Sequence, residues 1–139
     1  MLERYLFSGQ GWRIGWQAAP WQGLIGGDDW GFELSEIELA GFCTLVNQLQ
    51  GAIAAIEPEL ADQEELVCTS AIAELSLEVR GIPPNYGWYV RLQCAQTGRQ
   101  LEGSWRPEAM AELLAAIAQI QNLTGSTGSS SDYLPCDDG

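Results

Sequence analysis

The chain has 139 residues, 46% of them hydrophobic and 18% charged, which is the size and apolar content of one globular domain rather than a multidomain machine. Six arginines face nineteen acids for a formal net charge of −13, and the sequence contains neither histidine nor lysine. Their absence excludes histidine-based catalytic triads, histidine-ligated metal sites, Schiff-base lysines and the phosphate-binding lysine of a P-loop.

The first ten residues place an acid, Glu3, where a signal peptide needs cations, and their apolar run is short for an h-region, so secretion is not expected. The longest apolar stretch is interrupted by Asn47, Gln48 and Gln50, so no uninterrupted membrane span is expected. Cys43, Cys68, Cys94 and Cys136 are widely spaced and form no C-x-x-C pair. They are expected to be free thiols in a reducing cytoplasm, with no metal and no cofactor.

From Trp12 to Ala18, apolar Trp12, Ile14, Trp16 and Ala18 alternate with Arg13, Gly15 and Gln17, the period of a half-buried strand. A second strand is expected around Trp21 to Ile25, and Gly26-Gly27-Asp28-Asp29 turns the chain into a third carrying Trp30, Phe32 and Leu34 on one face. Ser35 and Glu38 have the spacing of a capping box and mark the start of a helix. Its expected apolar face is Ile37, Ala40, Leu45, Leu49, Ala52, Ile53 and Ile56, and Pro58 stops it.

An acidic joint of five carboxylates, from Glu57 to Glu65, separates this half from a second with the same order of signals. Ala71, Ala73, Leu75, Leu77 and Val79 are expected on one strand face, opposite Ile72, Glu74, Ser76, Glu78 and Arg80. After a turn at Gly81–Gly87, Trp88, Val90, Leu92 and Cys94 alternate with Tyr89, Arg91 and Gln93, and Thr97-Gly98 leads to a strand with Leu101, Gly103 and Trp105 inward. Pro107 opens a helix whose stripe is Met110, Leu113, Leu114, Ile117 and Ile120. A further strand at Leu66–Thr69 is only faintly marked.

The expected fold is therefore α+β, a duplicated unit of antiparallel strands followed by a helix (β-β-β-α twice, with room for four strands per half), the helices covering one sheet face. One domain is expected over residues 1–123, its halves at about 1–57 and 66–123. Residues 124–139, poor in apolar side chains, are expected to be a disordered acidic tail.

The Trp12-x-x-x-Trp16 strand, the Gly-Gly-Asp-Asp-Trp-Gly-Phe-Glu-Leu run at 26–34 and the Pro-Pro-Asn-Tyr-Gly-Trp run at 83–88 resemble a small cyanobacterial family of unknown function. That family is similar in fold to the single-stranded-DNA-binding transcriptional regulators of the Whirly and positive-cofactor-four type, which also pair two strand-rich units each followed by a helix. The resemblance implies a duplicated fold and an outer sheet face able to hold a ligand. The chain shows only three firm strands per half and lacks the lysine-rich sheet surface of those regulators.

Asp28 and Asp29 invite comparison with a catalytic carboxylate pair, but turn formation explains them better. The acidic joint lacks the spacing of a calcium loop. Trp12, Trp16, Trp30, Trp88 and Trp105 fall on apolar strand phases and are expected in the core, with Trp21 the most exposed. The arginines are more informative, since within residues 70–106 four arginines meet three acids, against the charge of the whole chain. Arg80, Tyr89, Arg91 and Gln93 share the outward strand phase with Gln100 and form the candidate binding patch. The expected function is a non-enzymatic module that engages a protein partner, because the acidic shell repels nucleic acid. A single-stranded nucleic-acid-binding regulator working through the patch is the alternative, and an enzyme using carboxylates comes last.

Overall fold

The computed structural model describes residues 4–18 and 22–124. The order of elements is β1 (Arg4–Gly9), β2 (Trp12–Gln17), β3 (Gly23–Gly26), β4 (Gly31–Leu34), α1 (Glu36–Ile56), a 3₁₀ turn (Glu57–Glu59), β5 (Leu66–Ile72), β6 (Leu75–Ile82), β7 (Asn85–Cys94), β8 (Arg99–Trp105) and α2 (Pro107–Thr124). These strands form two antiparallel four-stranded sheets, β1-β2-β3-β4 and β5-β6-β7-β8. The α+β fold and its repeated strand-then-helix plan are as the sequence predicts, with four strands in each half. The expectations for Trp21, for Cys136 and for the tail beyond Thr124 lie outside the described residues.

The extra strands correct two expectations. β1 escapes the periodic pattern because Leu6 points outward between half-buried Tyr5 and Phe7. It joins β2 through a tight turn in which Gly11 has φ of +84°, a conformation glycine adopts without cost. In the second half, the single strand expected from Ala71 to Arg80 is two strands. β5 and β6 meet at a two-residue hairpin, Ala73-Glu74, with Ile72 paired to Leu75 and Ala73 at φ +53°. The hairpin reverses the phase, so Ala71 and Ala73 are exposed while Ile72 packs against the core. The turn expected over Gly81–Gly87 shrinks to Pro83-Pro84, whose peptide bond is cis, and β6 and β7 continue to its edges.

The Ser35 hydroxyl accepts from the Glu38 amide at 3.1 Å and the Ser35 amide donates to the Glu38 carboxylate at 3.0 Å, completing the expected capping box of α1. The buried residues of α1 are Leu39, Gly41, Phe42, Cys43, Thr44, Leu45, Val46 and Leu49. Ile37 and Ile56, expected on the apolar face, are 47% and 39% exposed. The centre of this helix is enclosed by both sheets and is buried on more than one face, whereas these two side chains near its ends stay outside the core. Its length and apolar composition would suit a membrane span, yet those apolar residues here fill the core.

The helices do not simply cover their own sheets. α1 packs mainly on β5 and β6 of the second sheet, whereas α2 packs on β1, β2 and β7. A single core results, in which Ile14, Ile25 and Leu34 of the first sheet join Phe42 of α1, Val79 and Val90 of the second sheet, and Leu113 and Ile117 of α2. One face of the second sheet lies inward against these helices. The other carries the candidate patch.

Candidate functional site: the outer face of the second sheet

Strand register sets which side chains meet on this face. Glu78 pairs with Tyr89 and Tyr89 with Ser104; Ser76 pairs with Arg91 and Arg91 with Glu102; Gln93 pairs with Gln100. Because alternate residues point to opposite faces, Trp88, Val90 and Leu92 are buried at about 2% exposure while Tyr89 is 44% exposed. Arg80, Tyr89, Arg91 and Gln93 are all exposed, and the sheet brings the four predicted residues onto one surface. Tyr89 leans back along its strand over Gly87, where an added Cβ would lie 3.1 Å from the Tyr89 hydroxyl. Gly87 thus leaves room for the ring.

Both arginines are engaged. Arg80 donates through Nε and Nη2 to Glu78 Oε2 at 2.9 Å, and Arg91 donates to Glu102 Oε2 at 3.2 Å from Nε and 3.0 Å from Nη2. The Glu78 hydrogen bond and charge hold Arg80 still more firmly in its cationic form. The two pairs cancel the charge of the four side chains, so the surface is neutral on an otherwise acidic molecule. A concavity of about 590 Å³ opens here, lined by Thr69, Ser76, Glu78, Tyr89, Arg91 and Ser104 among others. A neighbouring one of about 410 Å³ lies between Arg91, Gln93, Gln100 and Glu102. The Arg91–Glu102 pair borders both.

Sequence reasoning missed two apolar members. Val67 on β5 and Ile82 on β6 share the outward phase and are 47% and 41% exposed. Val67 lies directly opposite Arg80. Finding Val67 required β5, whose signal was faint; Ile82 was hidden in an expected turn. Glu78 was legible as a partner for Arg80, being two residues away on the same strand face.

The other candidates lie away from this face. Asp28 sits beside Arg106 at 3.5 Å, both largely exposed. Trp12, Trp88 and Trp105 are buried, and Trp16 and Trp30 are half-buried against the core. The Trp30 indole donates to the Ser104 carbonyl at 3.1 Å, and Gly103 leaves the space its ring fills. Cys43, Cys68 and Cys94 are buried, and burial pushes Cys43 up to about 12. Among the described residues no three His, Cys, Asp or Glu side chains come close enough to hold a metal.

Residues 7–120, most of the chain, match the family described as a domain of unknown function, DUF1818. The chain belongs to the DUF1818 family. Its fold is similar to that of a crystal structure of a protein of unknown function from the DUF155 family of Prochlorococcus sp. NATL2A, a cyanobacterium. The two are 19% identical, with a TM-score of 0.77 over 84% of this chain and 98% of that one, a likeness of fold alone. No curated protein matches this DUF1818 chain.

Proposed function

We propose that this DUF1818 protein is a non-enzymatic binding module that holds a segment of a protein partner on the outer face of its second sheet. The observation that carries the proposal is the composition of that face: exposed Val67 and Ile82 lie at one end of it beside the Arg80–Glu78 pair, and exposed Tyr89 stands between them and the Arg91–Glu102 pair, lining a concavity of about 590 Å³. Apolar and aromatic side chains beside paired arginines are the makings of a protein interface. With a net charge of −13, long-range forces favour neutral or basic partners. A single strand of nucleic acid, the use suggested by the Whirly-type resemblance, would have to displace Glu78 and Glu102 from the two arginines before its phosphates could take their place.

Recovery of bound protein from nuclease-treated lysate, wild type against Tyr89→Ala/Arg91→Ala and Val67→Ser, tests the proposal. The expected result is one partner captured by the wild type, retained through added salt, and lost in both variants at unchanged melting temperature. Capture that is indifferent to both variants would overturn the assignment of this face. Micromolar binding of single-stranded DNA near physiological salt, abolished by Arg80→Ala/Arg91→Ala, would replace the protein partner with a nucleic acid.

A further inference from the structure

A second groove, of about 410 Å³, lies on the opposite side of the second sheet, between α1 and α2. Ile53 of α1 and Met110 and Leu114 of α2 line it, together with Trp88 of β7, whose indole is otherwise buried. Ala54 and Ala111, one exposed small residue from each helix, keep it open. Its volume falls within the range of small-molecule sites, and a position between helices is a common one for them.

One end of the groove is polar. The Tyr86 hydroxyl donates a hydrogen bond to Glu57 Oε2, and both residues line the groove. Burial first, and then the Glu57 hydrogen bond, raise Tyr86, so the phenol keeps its proton. The same end receives the C-terminus of α1, where carbonyl groups concentrate partial negative charge and the last turn supplies no basic residue. Among the described residues no arginine lines the groove; Arg106, beside Pro107, pairs instead with Asp28. An apolar trough closed by an anionic end with no cation of its own complements one kind of molecule.

We propose that this groove binds an amphiphilic organic cation, its apolar body between α1 and α2 and its cationic head at Glu57 beside Tyr86. The head gains from the carboxylate, the helix end and the neighbouring aromatic ring, and the body from Ile53, Met110 and Leu114. The site is independent of the outer sheet face, from which the second sheet separates it.

The test is titration of the full chain with octyltrimethylammonium and, separately, octanesulfonate, both below micelle formation, followed by amide and indole NMR shifts. The cation is expected to give saturable shifts centred on Tyr86, Trp88 and Leu114, with the anion weaker by about tenfold or more, because the tail is shared and only the charge differs. Glu57→Gln should reduce that preference by about tenfold, and Ala111→Trp should abolish binding by filling the groove while the remaining spectrum persists. Ala54→Trp repeats the occlusion from the other helix. Equal affinity for the two amphiphiles, binding that survives both tryptophan variants, or no saturable shift at millimolar cation would overturn the proposal.

Discussion

The Trp105 indole donates a hydrogen bond of 2.9 Å to the Gly26 carbonyl, tying the last strand of the second sheet to the third strand of the first. Trp105 is 2% exposed and its ring also meets Phe42 and Trp30, with centroids 5.9 and 5.1 Å away. The residue is therefore both a packing element and the donor that satisfies a carbonyl at the junction. Trp105→Phe keeps most of the packing and removes the donor. It should cost about 1–3 kcal/mol in chemical denaturation, the range for a lost buried hydrogen bond.

Neighbouring residues on β7 should respond oppositely to truncation. Trp88→Ala empties a core position and should cost about 3–5 kcal/mol. Tyr89→Ala and Arg91→Ala should each stay within about 1 kcal/mol, since the Arg91–Glu102 pair is exposed and surface pairs contribute little. Denaturation midpoints for the three variants check the strand phase. Equal losses at Trp88 and Tyr89 would show the phase to be wrong.

Arg99 connects the second sheet to the start of α1. Its guanidinium donates to both Glu38 oxygens, at 2.9 and 2.8 Å, and to the Glu33 carbonyl at 2.7 Å. Glu38 also closes the capping box, so one carboxylate serves the helix cap and the tie between halves. The side chains are only 25% and 11% exposed. Arg99→Met should lower stability by about 1–3 kcal/mol, more than the loss of Arg91, because Glu38 is left shielded from water.

Alkaline pH should weaken the fold before any surface group explains it. Cys43 rises from 9.0 to about 12 on folding. Above pH 9 the unfolded chain releases this proton first, so stability declines as pH rises from about 9 towards 12. Tyr86, raised by burial and by Glu57, acts in the same direction above its ordinary value of 10.0. Cys43→Ala should flatten the stability profile between pH 9 and 10, while Tyr86→Phe should act only above that window. Urea denaturation across this range separates the two.

Chelator treatment should leave the melting temperature unchanged. Calorimetry before and after dialysis against EDTA checks this; a fall of several degrees would reveal a structural ion.

The strand-rich plan, the Ser35 cap and the four-residue patch were legible because each rests on local spacing. Alternation at Trp88–Cys94 gave the outward set directly. The second-half hairpin was hidden because Ala73-Glu74 lacks the Gly or Asn that usually announces a two-residue turn. With Ala71 and Ala73 both small and apolar, the sequence continued the inward phase across a reversal. On α1, Ile37 and Ile56 looked like core because spacing alone cannot show that the two sheets bury the middle of the helix and leave these side chains outside. The opposition of Arg91 to Glu102 was likewise invisible until register was known, and it changes the patch from cationic to neutral.

The exchange of helices between halves has a consequence for synthesis at the ribosome. When α1 leaves the exit tunnel, its main docking surface, β5 and β6, has yet to be translated, and the first sheet waits longer still for α2. Phe42, Leu45, Val46 and Leu49 therefore pass through a stage with only β3 and β4, the smaller part of their packing, to receive them, and the nascent first half presents a greasy helix face to its surroundings until translation has passed Ile82.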